Sequence, residues 1–137
     1  MTVRDIMTRH VETASPDETV LDAVDRFRGG GFRHLPVVEG GRLLGVVSDR
    51  DVLRAAGPSI GSTEWDDVLG PDVDRPLREV MTRDLVTADP TMSVEEAADT
   101  MLREELSSLP VLDEGRLVGI VTTADVLRMA SGVEREP

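Results

Sequence analysis

Gly41-Arg42-Leu43-Leu44-Gly45-Val46-Val47-Ser48-Asp49-Arg50-Asp51-Val52-Leu53-Arg54 returns 74 positions later as Gly115-Arg116-Leu117-Val118-Gly119-Ile120-Val121-Thr122-Thr123-Ala124-Asp125-Val126-Leu127-Arg128. Each stretch reads as a glycine turn, an apolar strand, and a helix opened by Ser or Thr with Asp three residues on. Working outward, the overlay runs without a gap from Arg4–Arg54 onto Arg78–Arg128. Met7-Thr8-Arg9 falls on Met81-Thr82-Arg83, and Leu35-Pro36-Val37 on Leu109-Pro110-Val111. Roughly two positions in five are identical over about 50 residues, far beyond chance for a gapless overlay. Each copy is therefore one supersecondary unit. Residues kept in both copies serve the unit, and residues present in one copy distinguish it.

Upstream of the quoted stretch, Thr19 opens a run with Val20, Ala23, Val24 and Phe27 at helical spacing. Thr19 and Asp22 stand as a capping pair, and Ser93 and Glu96 repeat it. Gly29-Gly30-Gly31 ends this helix in copy one, where copy two has Arg103-Glu104-Glu105. Val11-Glu12-Thr13-Ala14 reads as a short strand closed by Pro16. The order strand, helix, strand, strand, helix makes the chain α+β. It divides into unit 1 (1–56), an acidic Gly/Pro connector containing Trp65 (57–76), unit 2 (77–131) and a tail (132–137).

A unit of roughly 50 residues is marginal alone, so the two copies are expected to share one core. Hydrophobic residues make up 39% of the 137, which favours a folded chain over disorder. The net charge of −12 opposes a general nucleic-acid surface. No apolar run reaches the roughly 20 residues of a membrane span, and Met1-Thr2-Val3-Arg4-Asp5 lacks a signal-peptide pattern. A cytoplasmic location is the expectation. With no cysteine and two histidines, neither a disulfide frame nor a transition-metal site is expected.

The Leu-Pro-Val before a turn, and then Gly-Arg-Leu-x-Gly-h-Val-[Ser/Thr]-x-x-Asp with h apolar, resemble the CBS domain. This is the cystathionine-β-synthase-type regulatory module, and two in tandem form a Bateman module. The resemblance covers nearly the whole chain. It implies β-α-β-β-α units packed sheet-to-sheet around a pseudo-twofold axis. It also implies a cleft between the units that takes AMP, ADP, ATP or S-adenosylmethionine as a regulatory ligand, with no cofactor required. Members pair through the second helix of each unit into a disc of four, which implies a homodimer here.

Candidate site residues follow. Ser48 and Asp51, with Thr122 and Asp125, stand at strand-to-helix junctions. There, backbone N–H groups suit an anion and the carboxylate suits a ribose diol. The same spacing is also that of a capping box, which needs no ligand. Gly45 and Gly119 would let a ligand or a neighbouring strand approach the backbone.

The residues before Leu-Pro are Arg33-His34 in copy one and Ser107-Ser108 in copy two. By resemblance they reach the site of the other unit, so Arg33 and His34 would serve Thr122 and Asp125. Ser107 and Ser108 would serve Ser48 and Asp51. Arg50 and Ala124 precede the motif aspartates. Arg33 and Arg50 are either phosphate contacts or solvated surface, and His34 is either a pH-sensitive contact or a packed side chain. Phosphate-rich ligands are expected to prefer the site that gains Arg33 and His34. Met7 and Arg9, with Met81 and Arg83, line the adenine pocket by resemblance, and the alternative is that each Met is core.

Two functions compete. One is a stand-alone adenosine-ligand sensor acting on another, unknown protein, and the other is a structural dimerisation module with vestigial sites. An enzyme is not expected. A Ser48–His34–Asp51 triad fails because copy two places Ser108 at the histidine position. Gly29-Gly30-Gly31 lacks the Lys-[Ser/Thr] of a phosphate loop.

Overall fold

The chain was analysed as a computed structural model that describes residues 1–55 and 73–132. The bulk of the connector, with Trp65, and almost all of the tail lie outside the described residues. The elements, in order, are α1 (Val3–Ile6), α2 (Val20–Gly30), β1 (His34–Glu39), β2 (Arg42–Ser48) and α3 (Asp49–Ala55). A 3-10 turn (Leu77–Glu79) follows, then α4 (Val94–Glu104), β3 (Ser108–Asp113), β4 (Arg116–Thr122) and α5 (Thr123–Ser131).

Local chemistry sets these boundaries. Thr19 and Asp22 form a complete capping box at the start of α2, and Ser93 accepts from the Glu96 amide at the start of α4. Helix α2 ends at Gly31 with φ 71°, in the left-handed region that glycine enters without penalty. Helix α4 makes the same left-handed ending with Glu105 at φ 56°. The triple glycine therefore terminates a helix. Gly30 has a further reason: a Cβ there would meet the ring of Phe32, which packs against Phe27 with centroids 5.6 Å apart.

Each β pair is a tight antiparallel hairpin. Gly40 and Gly41 turn the first with φ 61° and 83°, and Glu114 and Gly115 turn the second with φ 52° and 82°. Two positive φ values in a two-residue loop mark the turn whose twist matches its strands. The registers are equivalent, with His34 opposite Ser48 and Ser108 opposite Thr122. Both carry one irregularity, at Val37/Val38 and at Val111/Leu112.

The expected strand at 11–14 shrinks to a single parallel bridge, Ala14 to Val37, with Ala88 to Val111 as its counterpart. Ala14 N donates to Pro36 O at 2.8 Å and Val38 N to Ala14 O at 2.8 Å. Beyond Ala14 the chain turns at once. Glu18 N donates to Ser15 O, and Asp17 N to Ser15 Oγ.

The single shared core expected from the sequence is replaced by two core clusters, one in each compact body, because each body completes itself with a segment of the other repeat; the bodies are not the sequence repeats. One is Glu12–Leu85, and the other joins Met1–Val11 to Val86–Pro137. The leading segment of each repeat therefore completes the body of the other. In the first body Leu77 and Met81, from repeat two, sit in the core with Val24, Leu35, Val47 and Val52. In the second, Val3, Ile6 and Met7, from repeat one, sit with Val94, Leu109 and Val121.

The backbone repeats this exchange bond for bond. Val3 N donates to Met92 O, Arg4 N to Pro90 O and Val94 N to Met1 O. In the other body Leu77 N donates to Glu18 O, Arg78 N to Pro16 O and Val20 N to Arg75 O. Further along, Thr8 and Ile120 exchange N–H···O bonds of 2.8 and 2.9 Å, and Thr82 and Val46 bonds of 2.9 and 3.0 Å. Arg9 and Arg83 brace the segments from within, donating to Arg4 O and Arg78 O.

The kept glycines are where the segments land. A Cβ on Gly45 would stand 2.7 Å from Met81 Sδ and 2.8 Å from Thr82 O, and one on Gly119 2.8 Å from both Met7 Sδ and Thr8 O. The methionine tip can move, but the bonded carbonyl cannot. Gly45→Ala or Gly119→Ala is therefore expected to cost about 1–3 kcal/mol of stability through overpacking. Urea unfolding followed by circular dichroism measures it, with Gly29→Ala, which meets nothing within 4 Å, as the control.

Candidate ligand-binding motifs

Both Ser/Thr-x-x-Asp motifs sit where an apolar strand passes straight into a helix. Ser48 ends β2 and Thr122 ends β4. Each hydroxyl accepts from the amide of the Asp three residues on, Asp51 N at 3.1 Å and Asp125 N at 3.2 Å. Each Asp Oδ2 in turn accepts from the Ser or Thr amide, at 3.0 and 2.9 Å. Both motifs are thus complete capping boxes with no ligand present.

The first helical amide is also engaged. Asp49 N donates to Arg33 O and Thr123 N to Ser107 O, each at 3.0 Å. The free N–H cradle expected from the sequence is largely filled by the protein's own oxygens. What the motifs still offer a ligand lies in the side chains around the cap, chiefly the second oxygen of each aspartate.

These second oxygens differ. Asp125 Oδ1 accepts from the Arg128 guanidinium at 2.7 Å, and its side chain is fully buried. Asp51 Oδ1 stands 3.9 Å from the Arg54 guanidinium, and its side chain is 23% exposed.

Within each body the residues before Leu-Pro lie beside that body's own motif. His34 pairs with Ser48 across β1 and β2, and Ser108 with Thr122 across β3 and β4. Arg33 and Ser107 are exposed, and His34 and Ser108 half-buried. Arg50 and Ala124 both face solvent. Burial pushes the His34 imidazole below its ordinary pKa, Asp49 and Asp51 pull it back up, and Arg33 pushes it down. Met7 and Met81 are both buried in the cores described above, while Arg9 and Arg83 are exposed.

The exchange of leading segments was missed by the sequence reading, although its signal was present. Met-Thr-Arg and the strand glycine are both kept in both copies. Each pair is the two halves of one contact.

A model of the CBS domain matches residues 3–57 and 77–132. The chain belongs to the CBS-domain family. This module is regulatory and non-catalytic. The chain is 36% identical over 125 residues to the CBS domain-containing protein YhcV of Bacillus subtilis, covering 90% of this chain and 81% of that one. It is 32% identical to MJ1225 of Methanocaldococcus jannaschii but spans only 46% of that protein's length.

Among solved structures, a putative acetoin utilization protein (AcuB) from Vibrio cholerae shares 33% identity at a TM-score of 0.79. That match covers 100% of this chain and 98% of AcuB. CBSX2 in complex with AMP shares 29% identity at a TM-score of 0.81, covering 98% of each chain. The CBS pair of MJ0100, in complex with 5-methylthioadenosine and S-adenosyl-L-methionine, shares 27% at 0.78, also with 98% of each chain covered. Among the described residues, no group of acidic and histidine side chains is placed to hold a metal ion. No helix there is long and apolar enough to cross a membrane.

His34 makes stability depend on pH. Its folded pKa lies below the unfolded value of 6.5, so the unfolded chain takes up the proton first on acidification. Its contribution is therefore whole above pH 6.5 and declines as the pH falls from there towards the folded value. Asp5, held low by the Thr2 backbone, and Asp89, held low by Thr91, lose theirs only below about 3.8. Melting midpoints at pH 7.5 and 5.5 are expected to drop on acidification in the unmodified chain, and to drop less in His34→Gln.

Proposed function

We propose that the chain is a regulatory sensor of an adenosine-containing ligand, AMP, ADP, ATP or S-adenosylmethionine, and that the bound state modulates a partner protein. The observation that carries this is the CBS pair itself, matched over 98% of its length to CBSX2 solved with AMP. The MJ0100 pair with S-adenosyl-L-methionine points to the same ligand class. In this reading Asp51 accepts the ribose hydroxyls on its outer oxygen while its inner oxygen keeps the cap. Arg33, Arg50 and His34 are the cationic or neutral groups offered to phosphate, with Ser107 and Ser108 as hydroxyl donors. The methionines Met7 and Met81 act through the core rather than by direct reach.

The rival reading is a structural pairing module with vestigial sites, favoured by capping boxes that are complete without a ligand. A melting screen with AMP, ATP and S-adenosylmethionine separates the two, since a ligand that binds only the folded chain raises its midpoint. A rise with at least one is expected. Hydrogen bonds to a charged group are worth roughly 1.5–3 kcal/mol, so Asp51→Ala should weaken that ligand at least about tenfold by calorimetry. Unchanged affinity in a folded Asp51→Ala chain removes the carboxylate from the site.

We also propose a homodimer. Most of the apolar surplus on the second helices goes to the cores: Val52 is fully buried, and Leu53, Ala55, Val126 and Met129 pack against core residues. Leu127 remains 62% exposed on α5, and Ala130 is exposed beside it. Ala56 lies outside the described residues. A second copy of the chain is the proposed cover for Leu127. Light scattering should give twice 14.9 kDa for the unmodified chain and a monomer for Leu127→Glu. A monomeric unmodified chain, with and without nucleotide, removes the dimer.

A further inference from the structure

Asp51 and Asp125 occupy equivalent positions in the repeat, yet their surroundings are unequal. Both spend Oδ2 on the cap, at 3.0 and 2.9 Å from the amide that opens the motif. Asp125 spends more on the cap than Asp51 does, because Thr122 Oγ1 also lies 3.0 Å from the same oxygen. Its Oδ1 then takes the Arg128 guanidinium at 2.7 Å, with the carboxylate wholly buried and the arginine 44% exposed. A charge-assisted bond of that length to a buried carboxylate is strong, and breaking it leaves an uncompensated charge.

Arg54 holds the same place in the first motif but stands 3.9 Å from Asp51 Oδ1, and it is 79% exposed. A solvated pair at that distance contributes little and yields readily. A ribose diol needs the outer oxygen of the carboxylate as acceptor.

We infer that Arg128 withdraws Asp125 from ligand binding, so that the second motif serves the fold and the chain takes one adenosine ligand rather than two. This rests on the adenosine-ligand reading above and deepens it. Arg128 is the residue that sets the number of sites. The consequence reverses the expectation that phosphate-rich ligands prefer the Thr122–Asp125 motif. A ligand entering there would have to displace Arg128 from a buried acid before it could bond Asp125 Oδ1.

The test is calorimetric titration of the intact chain with AMP and, separately, with S-adenosylmethionine. Expected is a stoichiometry of one ligand per chain, with no residual site of comparable affinity in Asp51→Asn. Two equivalent sites per chain, or a full-strength site surviving in Asp51→Asn, overturn the inference while leaving the sensor reading intact. No heat with either probe in the unmodified chain overturns the sensor reading, and this inference with it.

A ligand-free measurement stands beside it. Arg128→Met should lower the melting midpoint, and Arg54→Met should leave it nearly unchanged. Equal shifts overturn the claim that only Arg128 is committed to its aspartate. Should Asp51→Asn fail to fold, the stoichiometry of the unmodified chain and these two melts decide the matter.

Discussion

The contact on which the rest depends is the landing of a Met-Thr step on a strand glycine. Met81 and Thr82 lie against Gly45, and Met7 and Thr8 against Gly119, with the threonine backbone bonded to the residue after the glycine. A repeat of roughly 50 residues has too little interior for independent stability. Here the shortage is met by exchange, since each body borrows a leading turn, a buried methionine and two backbone bridges from the segment ahead of the other repeat's core. The exchange also accounts for the first amides of α2 and α4, Val20 and Val94, which donate to carbonyls of the borrowed segment. An orphan donor at a helix start and an orphan carbonyl in a short turn satisfy each other.

Much of this was legible in the sequence because the relevant signals are local. Period, capping pairs and the Gly40-Gly41 turn, with Glu114-Gly115 at its repeat position, marked α2, α4 and both hairpins, and the left-handed endings at Gly31 and Glu105 fall where the glycine run and its charged counterpart end. The strand expected at 11–14 fell short for a reason that periodicity does not carry. Only Ala14 bridges to β1, and the Thr13 carbonyl before it accepts from the Arg26 guanidinium rather than from a strand partner. The exchange was illegible for a different reason. A sequence overlay aligns each repeat with its twin and says nothing about which body a segment joins. The methionines illustrate this, since the overlay marked Met7 and Met81 as important while their depth in the cores came only with the fold.

The strand-to-helix junctions were legible in the sequence, and the use of each side-chain oxygen at them was not. Ser48, Asp51, Thr122 and Asp125 stand at the junctions that the motif required. Their alternative roles, helix cap or ligand holder, use overlapping atoms. Only geometry assigns each oxygen, and it shows the cap already made in both copies. What separates the copies is an arginine at the same repeat position in each, Arg54 and Arg128, which no comparison of residue types would distinguish.

An ionised carboxylate has about four acceptor positions, so one aspartate can close a helix with one oxygen and hold a ligand with the other. That double use joins binding to folding. A ligand on the outer oxygen of Asp51 would hold the side chain whose inner oxygen caps α3, so its binding energy would tighten the start of that helix. The same argument applied to Asp125 gives a different result, because the Arg128 guanidinium already bonds its outer oxygen at 2.7 Å. The corresponding arginine of the first copy, Arg54, stands 3.9 Å from Asp51. On the proposed reading, a duplicated motif gives one element set by the fold and one left to a small molecule, which shifts the chain only as far as it binds one state better than the other.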